Sequence, residues 1–320
     1  MNDFASFALE IMYPPNPIRH LDNSLTTAQQ AGKDFFFDPS KTVDTAFHCN
    51  GCHIVDRTAN EGSTSKPGFF GTDGKNTFAF IQQFLKVPQL RNMYNKVGMF
   101  GMANNRKYLA DDPLNTPDPF FGHTNPFMGD QIKGFGYTQE GAADTVFRFH
   151  TTNGFLQRPQ GTVTPQDPGN PGGLEISEEG MEIRRNLEQY LMVFETNFFP
   201  IMGQQATLIE NNNKEGVKSR IKLLMARADR GECDLVARSS NDDGYLYVGG
   251  NSFQSNKAAD ALLSAGQLRA LANDGMAITY TCVPTGAGNR MALDRDEDGF
   301  LDGDEIAAGS DPADAASTPL

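Results

Sequence analysis

Two cysteines two residues apart, followed at once by histidine, constrain this chain more than any other feature: Phe47-His48-Cys49-Asn50-Gly51-Cys52-His53. At this spacing two thiols can add to the vinyl groups of one porphyrin, which is the signature of covalent c-haem attachment. The next residue, His53, is then placed under the iron as its proximal ligand. Attachment fixes the haem edge near the surface, where electrons can pass. The rival readings are a redox dithiol and half of a zinc site. The motif is not at a βα junction, which counts against the first. A second thiol pair of matching spacing is missing, which counts against the second. His48 adjoins Cys49 too closely to reach the opposite haem face and reads as structural.

With 320 residues the chain has room for one large domain or two smaller ones. It has no Trp and 24 Phe, which suits walls around an apolar cofactor or simply a Phe-rich core. The net charge of -13 argues against nucleic acid or an anionic membrane as partner. No apolar run approaches the roughly 20 residues that span a bilayer, and no leader is visible at Met1-Asn2-Asp3-Phe4. Covalent haem attachment takes place outside the cytoplasm. The expectation is therefore a periplasmic or extracellular bacterial protein whose leader is not in this chain. Met1 reads as a cloning start, and the chain as a mature form or a piece of a longer protein.

Thr26 or Ser24 predicts a cap for a helix over Thr26–Phe37. Residues 60–76 read as loop, Thr77–Phe84 and Ala142–His150 as helical, and 103–135 and 151–175 as long Pro/Gly/Asn-rich insertions. Met181, Ile183, Leu187, Leu191 and Val193 recur at mostly helical spacing over Glu178–Phe194. The texture changes after about residue 204. Helices over Val217–Asp229 and Ser264–Ala272 alternate with β-like runs at Cys233–Arg238, Tyr245–Val248 and Ile278–Val283. This predicts a small α+β domain over 205–288. Cys233 and Cys282, each at the edge of a β-like run in an exported chain, predict a disulfide worth ~2–4 kcal/mol.

An iron held by His53 needs a sixth ligand or keeps an open position. Met99, in Lys96-Val97-Gly98-Met99-Phe100-Gly101-Met102, is the first choice because flanking glycines let the backbone come close to the ring. Met102, Met128, His123 and His150 remain alternatives. Pro67 is the choice for the carbonyl that accepts the His53 ring N–H. Arg91, Lys86 and Lys96 are candidates for the haem propionates, with ordinary surface charge the competing role.

Three segments resemble the cytochrome c-like domains of the bacterial di-haem cytochrome c peroxidase family. They are the Cys49–His53 motif, Phe84-Leu85-Lys86-Val87-Pro88-Gln89-Leu90-Arg91-Asn92, and Gly136-Tyr137-Thr138-Gln139-Glu140-Gly141-Ala142-Ala143-Asp144-Thr145-Val146. The resemblance implies a mainly α, cytochrome c-like haem domain with long loop insertions over 1–204, and an electron-relay role. Three departures count against peroxidase activity. The family's enzymes use two haems, and this chain has one motif. The family's His-Asp-Gly is here Gln139-Glu140-Gly141. The insertion at 103–135 also separates the second and third segments more than in the family.

The tail over 289–320 is acidic. Asp294-Arg295-Asp296-Glu297-Asp298-Gly299-Phe300-Leu301-Asp302-Gly303-Asp304-Glu305 fits a calcium loop position by position. Asp294, Asp296 and Asp298 fall at 1, 3 and 5, Gly299 at 6, the Phe300 carbonyl at 7, Asp302 at 9 and Glu305 at 12. No convincing helix precedes the loop, so it resembles the free-standing calcium repeats of bacterial thrombospondin type 3-like segments more than a paired EF-hand. A structural clip is expected. The leading functional expectation is an exported mono-haem c-type cytochrome that passes single electrons to or from a redox protein. The rivals are a peroxidase-like haem enzyme with an open or labile sixth position, and a calcium-dependent structural or adhesion protein whose haem is incidental.

Overall fold

The computed structural model describes residues 3–4, 6–7, 11–43, 48–55, 76–79, 83–98, 134–137, 141, 143–151, 154–161, 165, 169–212 and 215–319. They divide into two compact units, Met1–Arg19 with Ser24–Thr196 and His20–Asn23 with Asn197–Leu320.

In the first unit a capping box starts helix α1 (Thr27–Phe37). The Thr26 hydroxyl accepts the Gln29 N–H, and the Gln29 side chain accepts the Thr26 N–H. Short elements follow: a single turn α2 (Cys49–Cys52), strands β1 (Asn76–Ala79) and β2 (Gln83–Lys86), and α3 (Val146–Phe149). Helix α4 (Glu178–Met192) is capped by Ser177 and packs along α1. The two backbones come close at Gly32, where a Cβ would run into the Asn186 carbonyl. Phe36, Tyr190 and Phe194 meet edge to face at 5.7–6.3 Å in the core beside this crossing. Arg184 of α4 is fully buried and spends its donors on carbonyls: His150 at 3.1 Å, Glu175 and Gly180 at 2.8 Å, and Leu174 at 2.9 Å. It thereby fastens irregular chain to the helix. A buried guanidinium is tolerable only when satisfied in this way.

The second unit is built on a six-stranded antiparallel sheet. Its strands are β3 (Gln205–Leu208), β4 (Asp234–Ser239), β5 (Gly244–Gly249), β6 (Ser252–Ser255), β7 (Leu263–Ser264) and β8 (Ile278–Val283), in the order β3-β8-β4-β5-β6-β7. Helices α5 (Glu215–Ala228) and α6 (Ala265–Leu271) bury Ile221, Leu224 and Leu268 in one core with Leu235, Phe253 and Tyr280 of the strands. Alternation along β4 sends Val236 into a second cluster with Ala292 and Leu293. Cys233 and Cys282 form a disulfide inside the first of these cores. Two short helices complete the unit, α7 (Gly288–Ala292) and α8 (Asp302–Ala308).

This overturns the expectation of a mainly α, cytochrome c-like fold: among the described residues helix and strand are mixed, and the six-stranded sheet lies in the region read as α+β. The expected helix over Thr77–Phe84 is instead a hairpin pairing Asn76 with Lys86 and Ala79 with Gln83. Thr77, Phe78 and Phe84 are β-branched or aromatic and suit a strand better than a helix. Ala142–His150 yields only the turn α3, capped by Thr145. The loop expected to lack a preceding helix follows the five-residue α7.

Candidate functional site

Two sites carry the chemistry-bearing residues, one in each unit. In the first unit, α2 is one turn long because only its own backbone closes it. Gly51 N–H donates to the His48 carbonyl at 2.9 Å, and His53 N–H to the Cys49 carbonyl at 2.8 Å. The turn sets Cys49, Cys52 and His53 side by side, and the Asn50 side chain holds the exit by accepting Val55 N–H at 3.0 Å. The His48 ring lies over Gly51, 3.2 Å from where a Cβ would stand. Cys49 packs against the core that contains Phe36 and Tyr190. Neither Cys49 nor Cys52 is in a disulfide. Burial pushes the Cys49 thiol up to about 12. A redox dithiol needs the opposite shift, since the thiolate is the reactive form.

His53 is oriented from outside its own segment. Its Nδ1 lies 3.2 Å from the carbonyl oxygen of Pro88. A carbonyl only accepts, so Nδ1 carries the proton and the lone pair is on Nε2. This is the arrangement by which metal-binding histidines are fixed through their other nitrogen. Buried Val87 and Leu90 anchor the segment that presents Pro88. Sequence reasoning gave this role to Pro67, which lies outside the described residues. The signal for Pro88 was present in Phe84–Asn92 itself, one of the segments that carried the resemblance.

Among the other expected residues, Arg91, Lys96 and His150 are described. The Arg91 guanidinium stacks on the Tyr13 ring at 4.0 Å and donates to the Gln89 side chain at 3.2 Å, and burial lowers its pKa. Burial likewise lowers Lys96. Met99, Met102, His123 and Met128, and the Lys86 side chain, lie outside the described residues. His150 is buried against Phe149 and Phe155, with ring centroids 5.7 and 5.3 Å away, and its Nδ1 has no hydrogen-bond partner. Burial, and after it the charges of Arg184 and His53, lower its pKa to about 3.

In the second unit the acidic loop runs from α7 to α8. Asp294 accepts Glu297 N–H at 2.7 Å and Gly299 N–H at 3.1 Å. Asp296 accepts Asp298 N–H at 3.3 Å, and Asp298 accepts Phe300 N–H at 2.8 Å. Asp302 reaches back to Arg295 N–H at 2.7 Å. Gly299 sits at φ +100°, which only glycine adopts without strain. Both Asp294 oxygens are engaged by these bonds, whereas Asp296, Asp298 and Asp302 each keep one oxygen outside them. Carboxylate oxygens of Asp294, Asp296 and Asp298 lie within 4.8 Å of one another. Asp296 Oδ2, Asp298 Oδ2, Asp302 Oδ2 and Glu305 Oε2 are all buried without a hydrogen bond. Burial, followed by the charges of Asp296, Asp298 and Asp302, raises the Glu305 pKa. Buried unpaired carboxylates are costly unless a cation joins them, and an all-oxygen set suits a hard one. The residues thus fit calcium. The loop is fastened to the sheet by Gly303 N–H to the Asn256 carbonyl and by Ala258 N–H to Asp304, both at 2.9 Å.

Residues 294–315 match the family model of the bacterial TSP3 repeat, a calcium-binding type. The match takes in all six expected calcium positions and does not extend to the haem-motif segments, for which no cytochrome or peroxidase model matches. No curated protein and no solved structure matches the chain.

Proposed function

We propose that this protein carries one haem c, attached through Cys49 and Cys52 and held by His53, and passes single electrons to or from a redox partner outside the cytoplasm. The observation that supports this most is the 3.2 Å approach of His53 Nδ1 to the Pro88 carbonyl, which aims the Nε2 lone pair beside two cysteines on one turn. Bound there, the haem would supply the one-electron Fe(III)/Fe(II) couple. His53 contributes an imidazole of fixed tautomer, and the two thiols contribute thioether bonds. Met99 is our choice for the sixth ligand. It follows Gly98, whose N–H donates to the Asp144 carbonyl at 2.9 Å and whose own carbonyl closely approaches Gly136. The Cys233–Cys282 disulfide suits a periplasmic or extracellular setting. Among the described residues no helix is long and apolar enough to cross a membrane. Calcium at Asp294, Asp296, Asp298, Phe300, Asp302 and Glu305 serves as a structural clip.

The test is expression behind an export leader in a bacterium that matures c-type cytochromes. Haem should stay with the polypeptide on a denaturing gel and be lost in Cys49→Ala/Cys52→Ala. A protein that folds and binds calcium but never retains haem would overturn the proposal. In the holoprotein, Met99→Ala should remove the Met–iron charge-transfer band. Rapid carbon monoxide binding by the reduced, unaltered protein would favour the peroxidase-like enzyme over the carrier.

A further inference from the structure

Asp302 stands at the ninth position of the acidic loop, 2% exposed. Its Oδ2 lies between two guanidinium groups, Arg295 Nη2 at 3.8 Å and Arg238 Nη2 at 3.9 Å. Neither distance is a hydrogen bond. Arg295 belongs to the loop. Arg238 belongs to strand β4 and sits far outside the matched repeat. Its Nε and Nη2 both donate to the Met291 carbonyl, at 3.1 and 2.9 Å, near the C-terminal end of α7. The sheet and α7 therefore fix this charge, and Asp302 has not recruited it.

We propose that Arg238, together with Arg295, sets the calcium affinity of the loop. The inference rests on the calcium reading above. In the empty loop the two positive charges offset the mutual repulsion of Asp294, Asp296, Asp298, Asp302 and Glu305. Once a divalent cation binds, the same charges repel it. They stabilise the calcium-free form and weaken binding, two effects of opposite sign. A residue with a merely structural role would support both forms alike. At this separation, even with the full screening of bulk water, one charge changes the affinity for a divalent cation roughly fivefold to tenfold. The resulting site folds without calcium and fills where calcium is plentiful, as it is outside cells.

Calorimetric titration of calcium chloride into the full chain at low ionic strength tests this. Arg238→Gln should bind calcium roughly fivefold to tenfold more tightly, and Arg238→Lys about as the unaltered chain does. Added potassium chloride should narrow the gap through screening. In chelator, Arg238→Gln should melt at a lower temperature than the unaltered chain. Equal or weaker calcium binding by Arg238→Gln overturns the inference. Should that variant not fold, Arg295→Gln reads the same charge from a half-exposed side chain, and unchanged or weaker binding there has the same force. No binding by the unaltered chain overturns the calcium reading and this inference with it; binding with unchanged variants overturns this inference alone.

Discussion

Replacing both Cys233 and Cys282 with alanine should cost the second unit about 4 kcal/mol. The bridge spans 49 positions. Closing a loop of about 50 residues removes roughly 14 cal/mol/K of entropy from the unfolded chain, or about 4 kcal/mol at 25 °C. The folded side changes little, because β4 and β8 remain paired from Asp234–Val283 to Ser239–Ile278 without the sulfur link. The loss therefore falls on the unfolded state, and this gives the prediction a second signature. Freed of the link, the unfolded chain exposes more surface, so the urea m-value should rise as the midpoint falls. With about 3–4 °C per kcal/mol for a unit of this size, the melting temperature should drop by roughly 12–16 °C. Urea unfolding followed by circular dichroism, with calorimetry on the full chain, measures both. A loss under about 1 kcal/mol, or a full loss with an unchanged m-value, would refute the chain-entropy reasoning.

Three further outcomes are expected. Chelation should lower the melting temperature of the unaltered chain but not of Glu305→Gln, which replaces a buried carboxylate whose Oε2 has no hydrogen bond; equal shifts in both would remove Glu305 from the proposed site. Gly32→Ala should destabilise the first unit by about 1–3 kcal/mol, because the new methyl group meets the Asn186 carbonyl where α1 and α4 touch; an unchanged urea midpoint would show that the helices can part. His150 titrates at about 3 in the folded protein, against an ordinary 6.5. Between those values the unfolded chain binds the extra proton, so the stability it confers is complete above 6.5 and lost as pH falls toward 3. Haem-free His150→Gln should show a shallower loss of stability over that window, and equal slopes would refute the assignment.

The parts of this protein legible in the sequence are those whose chemistry is local. The one-turn spacing of Cys49, Cys52 and His53 and the twelve positions of the acidic loop need no distant partner to be read. The capping box at Thr26 is local in the same sense. What escaped depends on tertiary placement. Strands such as Gln205–Leu208, Ser252–Ser255 and Leu263–Ser264 are two to four residues long, too short for alternation to register. The strands at Asn76–Ala79 and Gln83–Lys86 look helical in sequence because the apolar residues of 77–85 are close-set and no turn dipeptide interrupts them. Pro88 stood in plain view but lies 35 residues from His53 along the chain, and only the fold brings its carbonyl to the ring. Arg238 had no signal at all, because nothing near it in sequence points to an acidic loop beginning at Asp294.

The placement of Arg238 follows from the period of a strand laid against a short helix. Asp234, Val236 and Arg238 share one face of β4, since side chains alternate along a strand. That face meets α7 from end to end. Asp234 accepts Gly286 N–H and Gly288 N–H at 2.8 and 2.9 Å where the helix begins. Val236 packs with Ala292 and Leu293, and Arg238 donates to the Met291 carbonyl near the helix end. An acid at the start of the helix and a base at its end also match the helix dipole. The opposite face of the same strand, through Leu235 and Ala237, belongs to the core that holds the disulfide. One six-residue strand thus reaches both fixed points of the unit. Its next face-sharing residue after Val236 brings a positive charge to the mouth of the calcium loop, and Lys there preserves the charge while giving up the paired contact to Met291. Since charge sets the affinity, Arg238→Lys keeps it; a change as large as that in Arg238→Gln would overturn this reading.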